Sequence, residues 1–236
     1  MSVLRLVLLP GMDGTGLLFS PLVEALGGAL DPVVAAYPGD RTLGYEELLP
    51  LARKFLPERA PFLLLGESFS GPLALMLAAE RPPGLRAVVL CATFIRNPLP
   101  YLPRAAAPLA HPELFRAARP FILAKALVGG YSTPGLLALL RQVHGGVTPA
   151  VMAARARAIL RVDVARELSA CPVPLFYLSG LNDRVVPSRN LRAILKLRPD
   201  VTPVQFEGPH LILQAKPGES AAALLQIANS LSLHTR

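Results

Sequence analysis

Short apolar runs alternate with stretches of helical spacing along most of this chain. Val3 to Leu9 reads as a strand ended by Pro10-Gly11, and Thr15 to Leu26 then carries helical spacing. The alternation continues through strand Val33 to Ala36, helix Tyr45 to Phe55, strand Phe62 to Leu65, helix Pro72 to Glu80 and strand Ala87 to Cys91. It resumes near the C-terminus with strand Leu175 to Leu178, helix Arg189 to Leu197, strand Thr202 to Phe206 and a helix from Ser220 to about Ser230. Strands that lack polar alternation and are separated by helices predict an α/β fold, a mostly parallel sheet of about six strands covered by helices on both faces.

Between residues 97 and 163 the pattern changes. Prolines are frequent, apolar helical pieces cover Glu113 to Leu127, Gly135 to Val143 and Val151 to Leu160, and no strand pattern occurs. This segment reads as a helical cap inserted between a first core part (1–96) and a second (164–236). It holds eight Lys/Arg against two acidic residues, and more apolar side chains, among them Leu114, Phe115, Phe121, Ile122, Leu123 and Leu127, than a thin cap can bury within itself. Some of these are expected to wall a pocket.

Length and composition narrow the class. At 236 residues the chain can bury a full core as one enzyme-sized unit. Mean hydropathy is positive, yet no uncharged apolar run approaches the roughly 18 to 20 residues of a spanning helix. The N-terminal run passes straight into glycines with no small-residue cleavage site, which reads as a strand, not a signal peptide, and predicts a cytoplasmic protein. Cys91 and Cys171 have no metal-ligand spacing and sit in or beside apolar runs, as buried free thiols do. The net charge of +8 comes mainly from scattered arginines; with few aromatics and no Lys/Arg run, nucleic acid is not the expected partner. No feature of the sequence specifies an oligomeric state.

The candidate chemistry starts at Gly66-Glu67-Ser68-Phe69-Ser70-Gly71, where an apolar run ends in small residues around one serine and a helix pattern begins at once. A sharp strand-to-helix turn of this kind presents a serine oxygen above a helix N-terminus, so Ser68 is the candidate nucleophile. In an open parallel sheet, reactive groups gather at the carboxyl ends of the strands where strand order reverses. For the order second, first, third, fourth and onward, that point lies between the loops Pro10 to Gly16 and Gly66 to Gly71. Two later strand ends carry Asp183 and His210. A serine hydroxyl needs an imidazole to take its proton, and the imidazole needs a carboxylate to fix its tautomer. Read singly, Asp183 suits a turn cap and His210 a satisfied loop histidine. Together they lie at the required strand ends in the order Ser, Asp, His.

These segments resemble the α/β-hydrolase superfamily: Leu-Leu-Pro-Gly-Met-Asp-Gly-Thr-Gly at 8–16, Gly-Glu-Ser-Phe-Ser-Gly at 66–71, Gly-Leu-Asn-Asp-Arg-Val-Val-Pro at 180–187 and Gly-Pro-His at 208–210. Ser70 stands where the usual GxSxG has its second glycine. The opening loop is also similar to an esterase and acyltransferase branch that includes plant phytyl ester synthases. The resemblance implies an oxyanion hole from the backbone N–H groups of Met12 and Phe69, with Asp13 orienting its loop or capping the next helix. It implies a serine hydrolase of a small-molecule carboxylic ester or thioester, or an acyltransferase using the same triad, and less readily a non-catalytic binding member of the fold; the apolar side chains of segment 97–163 add the expectation of an apolar acyl group. No cofactor or metal is required by this chemistry, and the glycines at 11–16 lack the phosphate-binding GxxxxGK[ST] pattern.

Overall fold

The computed structural model describes residues 4–99, 101–117 and 120–233, the side chains of 120–123, 232 and 233 excepted. Its strands are β1 (Arg5–Leu9), β2 (Asp31–Val34), β3 (Phe62–Glu67), β4 (Leu85–Cys91), β5 (Leu175–Gly180) and β6 (Thr202–Phe206). All six are parallel and run in the order β2-β1-β3-β4-β5-β6. The reversal therefore falls between β1 and β3, where the two glycine-bearing loops leave the sheet.

Eleven α-helices occur among the described residues: α1 (Ser20–Leu26), α2 (Tyr45–Arg53), α3 (Gly71–Ala79), α4 (Pro112–Ala117), α5 (Pro120–Val128), α6 (Pro134–Gly145), α7 (Pro149–Arg161), α8 (Ala165–Ala170), α9 (Arg189–Leu197), α10 (Ile212–Ala215) and α11 (Pro217–Leu233). Successive strand residues serve opposite cores, as the period of two demands. Val7, Leu9 and Leu64 pack with Leu48 of α2, Leu73 and Leu77 of α3, Leu168 of α8 and Ile194 of α9. Leu6, Leu8, Leu63 and Leu65 face the other way, against Leu22 and Leu26 of α1 and Leu224 and Ile227 of α11. No helix among the described residues is long and apolar enough to cross a membrane.

Several boundaries differ from the sequence expectation. β2 lies at Asp31–Val34, two residues earlier than the apolar pattern suggests, and includes Pro32. It is an edge strand, where a residue without an N–H is tolerated. The helix expected from Thr15 opens as a 3-10 turn at Leu17–Phe19 and becomes α-helical only at Ser20, with Pro21 in its first turn. The expected piece Glu113 to Leu127 is divided between α4 and α5, and Val3 lies outside the described residues.

Among the described residues of segment 97–163 the regular elements are all helical, and the two ends of the segment lie together. Arg96 and Asp163 form an antiparallel bridge. The Arg96 Nε–H donates to Asp163 Oδ2 at 3.0 Å, and the Val164 N–H to the Ile95 carbonyl at 2.9 Å. Leu136 of α6 and Val128 of α5 close a small core with Leu18 and Leu211, which sets this segment over the carboxyl edge of the sheet.

Candidate active site

β3 runs without a spacer into a 3-10 turn, Ser68–Ser70, and then into α3. Ser68 has φ 48°, the left-handed region that a residue with a Cβ avoids unless its surroundings impose it. The surroundings do so from three sides. The Thr93 hydroxyl, from the end of β4, donates to the Ser68 carbonyl. The Tyr45 hydroxyl donates to the Phe69 carbonyl at 2.9 Å, and its ring stacks on Phe69 at 4.6 Å. A Cβ at position 66 would lie 2.5 Å from the Ser70 carbonyl and 2.8 Å from Ala74 Cβ, so only glycine lets strand and helix close this tightly.

His210 Nε2 lies 3.0 Å from Ser68 Oγ, and His210 Nδ1 lies 2.8 Å from Asp183 Oδ2. The imidazole and carboxylate side chains are 3% and 4% exposed, so water does not compete for their bond. Asp183 also does what a turn cap would do: its Oδ1 accepts from the Val185 and Val186 N–H groups, both at 2.8 Å. The turn bonds and the bond to His210 fall on different oxygens of one carboxylate. β5 and β6 end side by side, the Asn182 N–H donating to the Gly208 carbonyl at 2.9 Å, and this pairing brings the Asp183 and His210 loops together.

The β1 loop lies against the serine turn. Its Met12 borders the same cavity as Ser68, and Phe69 follows the serine directly, buried at the head of α3. Asp13 takes a structural part, its Oδ1 accepting from the Thr15 N–H at 2.9 Å and the Thr15 hydroxyl at 2.6 Å. Ser70 is more than a substitute for glycine. Its hydroxyl donates to the Pro10 carbonyl and meets the Tyr37 hydroxyl at 2.9 Å, tying the two loops together in the core.

Glu67 was not singled out by the sequence. It is 1% exposed, accepts from Gln214 Nε2 at 2.9 Å and from the Gly11 N–H, and burial pushes its carboxyl up to about 7 against the pull of those bonds. The available signal was its place as a charged residue directly closing the apolar run of β3. Glu207 instead accepts from Asn182 Nδ2 at 2.7 Å, away from His210. Cys91 and Cys171 are free and buried.

A cavity of about 930 Å³ opens over Ser68 and His210. Leu18, Phe94, Leu99, Leu114, Phe115, Leu127, Leu140, Val143, Met152, Ile159 and Leu211 line it, with Asp40, Arg116 and His144 among its polar residues. Phe121, Ile122 and Leu123, also expected to contribute, have side chains outside the described residues.

A model of the alpha/beta hydrolase family matches residues 6–223. The chain belongs to this family. Other alpha/beta hydrolases share its fold at low identity. An esterase from Thermogutta terrifontis superposes with a TM-score of 0.80 at 20% identity, covering 98% of this chain and 91% of the esterase. An esterase from Exiguobacterium antarcticum gives 0.81 at 14%, covering 97% and 92%. A bromoperoxidase from Bacillus anthracis gives 0.78 at 14%, with the same coverage. At these identities the likeness is one of fold. No curated protein sequence matches the chain.

Proposed function

We propose that this alpha/beta hydrolase is a serine hydrolase that cleaves a carboxylic ester or thioester with an apolar acyl group, through an acyl-enzyme on Ser68. The observation that carries the reading is the unbroken relay from Ser68 Oγ to His210 at 3.0 Å and on to Asp183 at 2.8 Å, at the base of an apolar cavity.

In this reading Asp183 accepts from the His210 Nδ1–H and keeps Nε2 free of its proton. Nε2 takes the Ser68 proton as Oγ bonds to the substrate carbonyl carbon. The carbonyl electrons move onto oxygen, which faces the Met12 and Phe69 N–H groups; a donor of this kind contributes about 3 to 4 kcal/mol to the transition state. Collapse of the intermediate breaks the bond to the leaving group, which departs with the proton from His210. Water then loses a proton to His210 and attacks the acyl carbon; as the bond to Oγ breaks, His210 returns that proton to Oγ, which releases the acid and restores Ser68.

Segment 97–163 serves as the cap that walls the acyl site. Each methylene it buries contributes up to about 0.8 kcal/mol, which favours long acyl chains over acetyl. The same apolar wall supports a second reading, acyl transfer to an apolar alcohol in place of water. The test is the rate on p-nitrophenyl esters from acetyl to dodecanoyl, for the wild type and Ser68→Ala, with product analysis in the presence of a medium-chain alcohol. Rising kcat/KM with chain length and loss of activity in Ser68→Ala support the hydrolase. Dominant formation of the alkyl ester supports transfer, and a monotonic fall from acetyl upward rejects a long apolar site.

A further inference from the structure

The carbonyls of the β1 loop are held one after another. Pro10 accepts from the Ser70 hydroxyl, Gly11 from the Gly14 N–H at 3.0 Å and Gly14 from the Tyr37 N–H at 2.7 Å. The two in the middle, Met12 and Asp13, accept from a single side chain of α7. Arg155 Nη1 donates to Met12 O at 2.9 Å and to Asp13 O at 2.8 Å, while Nη2 donates to Pro38 O at 3.0 Å.

Arg155 is fully buried, and its guanidinium lies 5.8 Å from the centre of the Tyr37 ring. Burial of an arginine whose direct partners are neutral carbonyls is costly, and desolvation lowers its proton affinity while the nearby Asp13 charge opposes this. Arg155 lies on the face of α7 that carries Val151 and Ile159, at helical spacing from both. The loop is also shaped around it. Gly14 has φ +72°, and a Cβ there would fall 2.5 Å from Arg155 Nη1.

We infer that Arg155 is the positioning residue of the oxyanion loop: it fixes the peptide planes on either side of Asp13, the second of which carries the Gly14 N–H that holds the Gly11 carbonyl and so orients the Gly11–Met12 peptide with its Met12 N–H toward the oxyanion, and the cap helix α7 is thereby part of transition-state stabilisation. The inference rests on the acyl-enzyme reading above. A planar fork with several N–H donors can bridge three carbonyls; an ammonium cannot reproduce that geometry, and a thioether supplies no donor.

The test compares Arg155→Lys, Arg155→Met and Gly14→Ala, each measured per folded molecule by circular dichroism, for kcat and KM on a soluble short-chain ester and for affinity toward an alkyl trifluoromethyl ketone, which forms an oxyanion on Ser68. Loss of one oxyanion donor lowers kcat by about 100-fold in related sites. A fall of that order in both kcat and ketone affinity, with KM little changed and Arg155→Lys intermediate, is expected. A merely structural arginine would lower the folded fraction or Tm while leaving ketone affinity per folded molecule intact, and that result overturns the inference. Gly14→Ala retains the buried arginine and displaces the loop, so it decides the question if the Arg155 variants do not fold: unchanged ketone affinity in Gly14→Ala contradicts the inference. If the wild type neither cleaves esters nor binds the ketone, the acyl-enzyme reading fails, and the inference with it. If the wild type does both, unchanged Arg155 and Gly14 variants overturn only the positioning role.

Discussion

The Thr93 hydroxyl donates to the Ser68 carbonyl, so the end of β4 holds the strained turn that begins at the end of β3. Thr93 is itself fully buried and fixed by Tyr177, whose hydroxyl donates to Thr93 O at 2.7 Å and accepts from Thr93 N at 3.2 Å. Thr93→Val preserves shape and removes one of two donors to the Ser68 carbonyl, the Gly71 N–H remaining, at a cost of about 0.5–1.5 kcal/mol. The expected outcome is a lower Tm, together with a kcat reduced roughly tenfold at constant KM because the nucleophile is less well placed. A Tm and kcat equal to wild type would show that the turn does not depend on this bond.

Asp183→Asn leaves the turn bonds at Oδ1 in place and changes the partner of His210 Nδ1. The imidazole is then no longer held with its proton on Nδ1, and kcat falls by about 10⁴-fold with folding retained. Stopped-flow or steady-state ester hydrolysis checks this. A near-normal rate would mean that the carboxylate does not orient the base.

Glu67 gives a pH dependence of stability with a defined sign. Its folded value of about 7 lies above its ordinary value of 4.5, so between these limits the unfolded chain ionises while the folded protein stays protonated. Stability contributed by this group is complete below the lower value, falls as pH rises through the interval and levels off above the upper one. The full change is up to about 3 kcal/mol. Urea unfolding at about pH 5 and about pH 8 should show wild type losing stability relative to Glu67→Gln, which mimics the protonated acid. A constant difference between the two proteins would contradict it.

The strands were legible because each interior one carries a run of apolar residues, and the candidate triad because its three members lie at strand ends beside short glycine motifs; the strand order itself entered the sequence reading only as a condition. Arg155 was not legible as an individual. Within a segment of eight basic residues it looks like one more solvated charge, and only its place on the α7 face shared with Val151 and Ile159 sets it apart. Ser70 was hidden for a related reason, since a small residue in a tight turn is expected whether or not its hydroxyl is used. Local pattern also misplaced β2, because an edge strand carries Pro32 where an interior one could not.

Leu127 and Leu140 line the cavity from α5 and α6. Leu127→Trp or Leu140→Trp shortens the space available to an acyl chain without touching Ser68 or His210. kcat/KM for dodecanoyl esters should fall by up to roughly fourfold for each excluded methylene, while acetyl esters are cleaved as before. An equal loss across all chain lengths would place the acyl chain elsewhere.

The claim that Ser68 is the nucleophile is tested most directly by peptide mapping after reaction with an alkyl fluorophosphonate. The expected result is a single adduct on Ser68, absent in Ser68→Ala and greatly slowed in His210→Gln. An adduct on Ser70 with Ser68 unmodified, or no adduct on a folded wild-type protein, would contradict it.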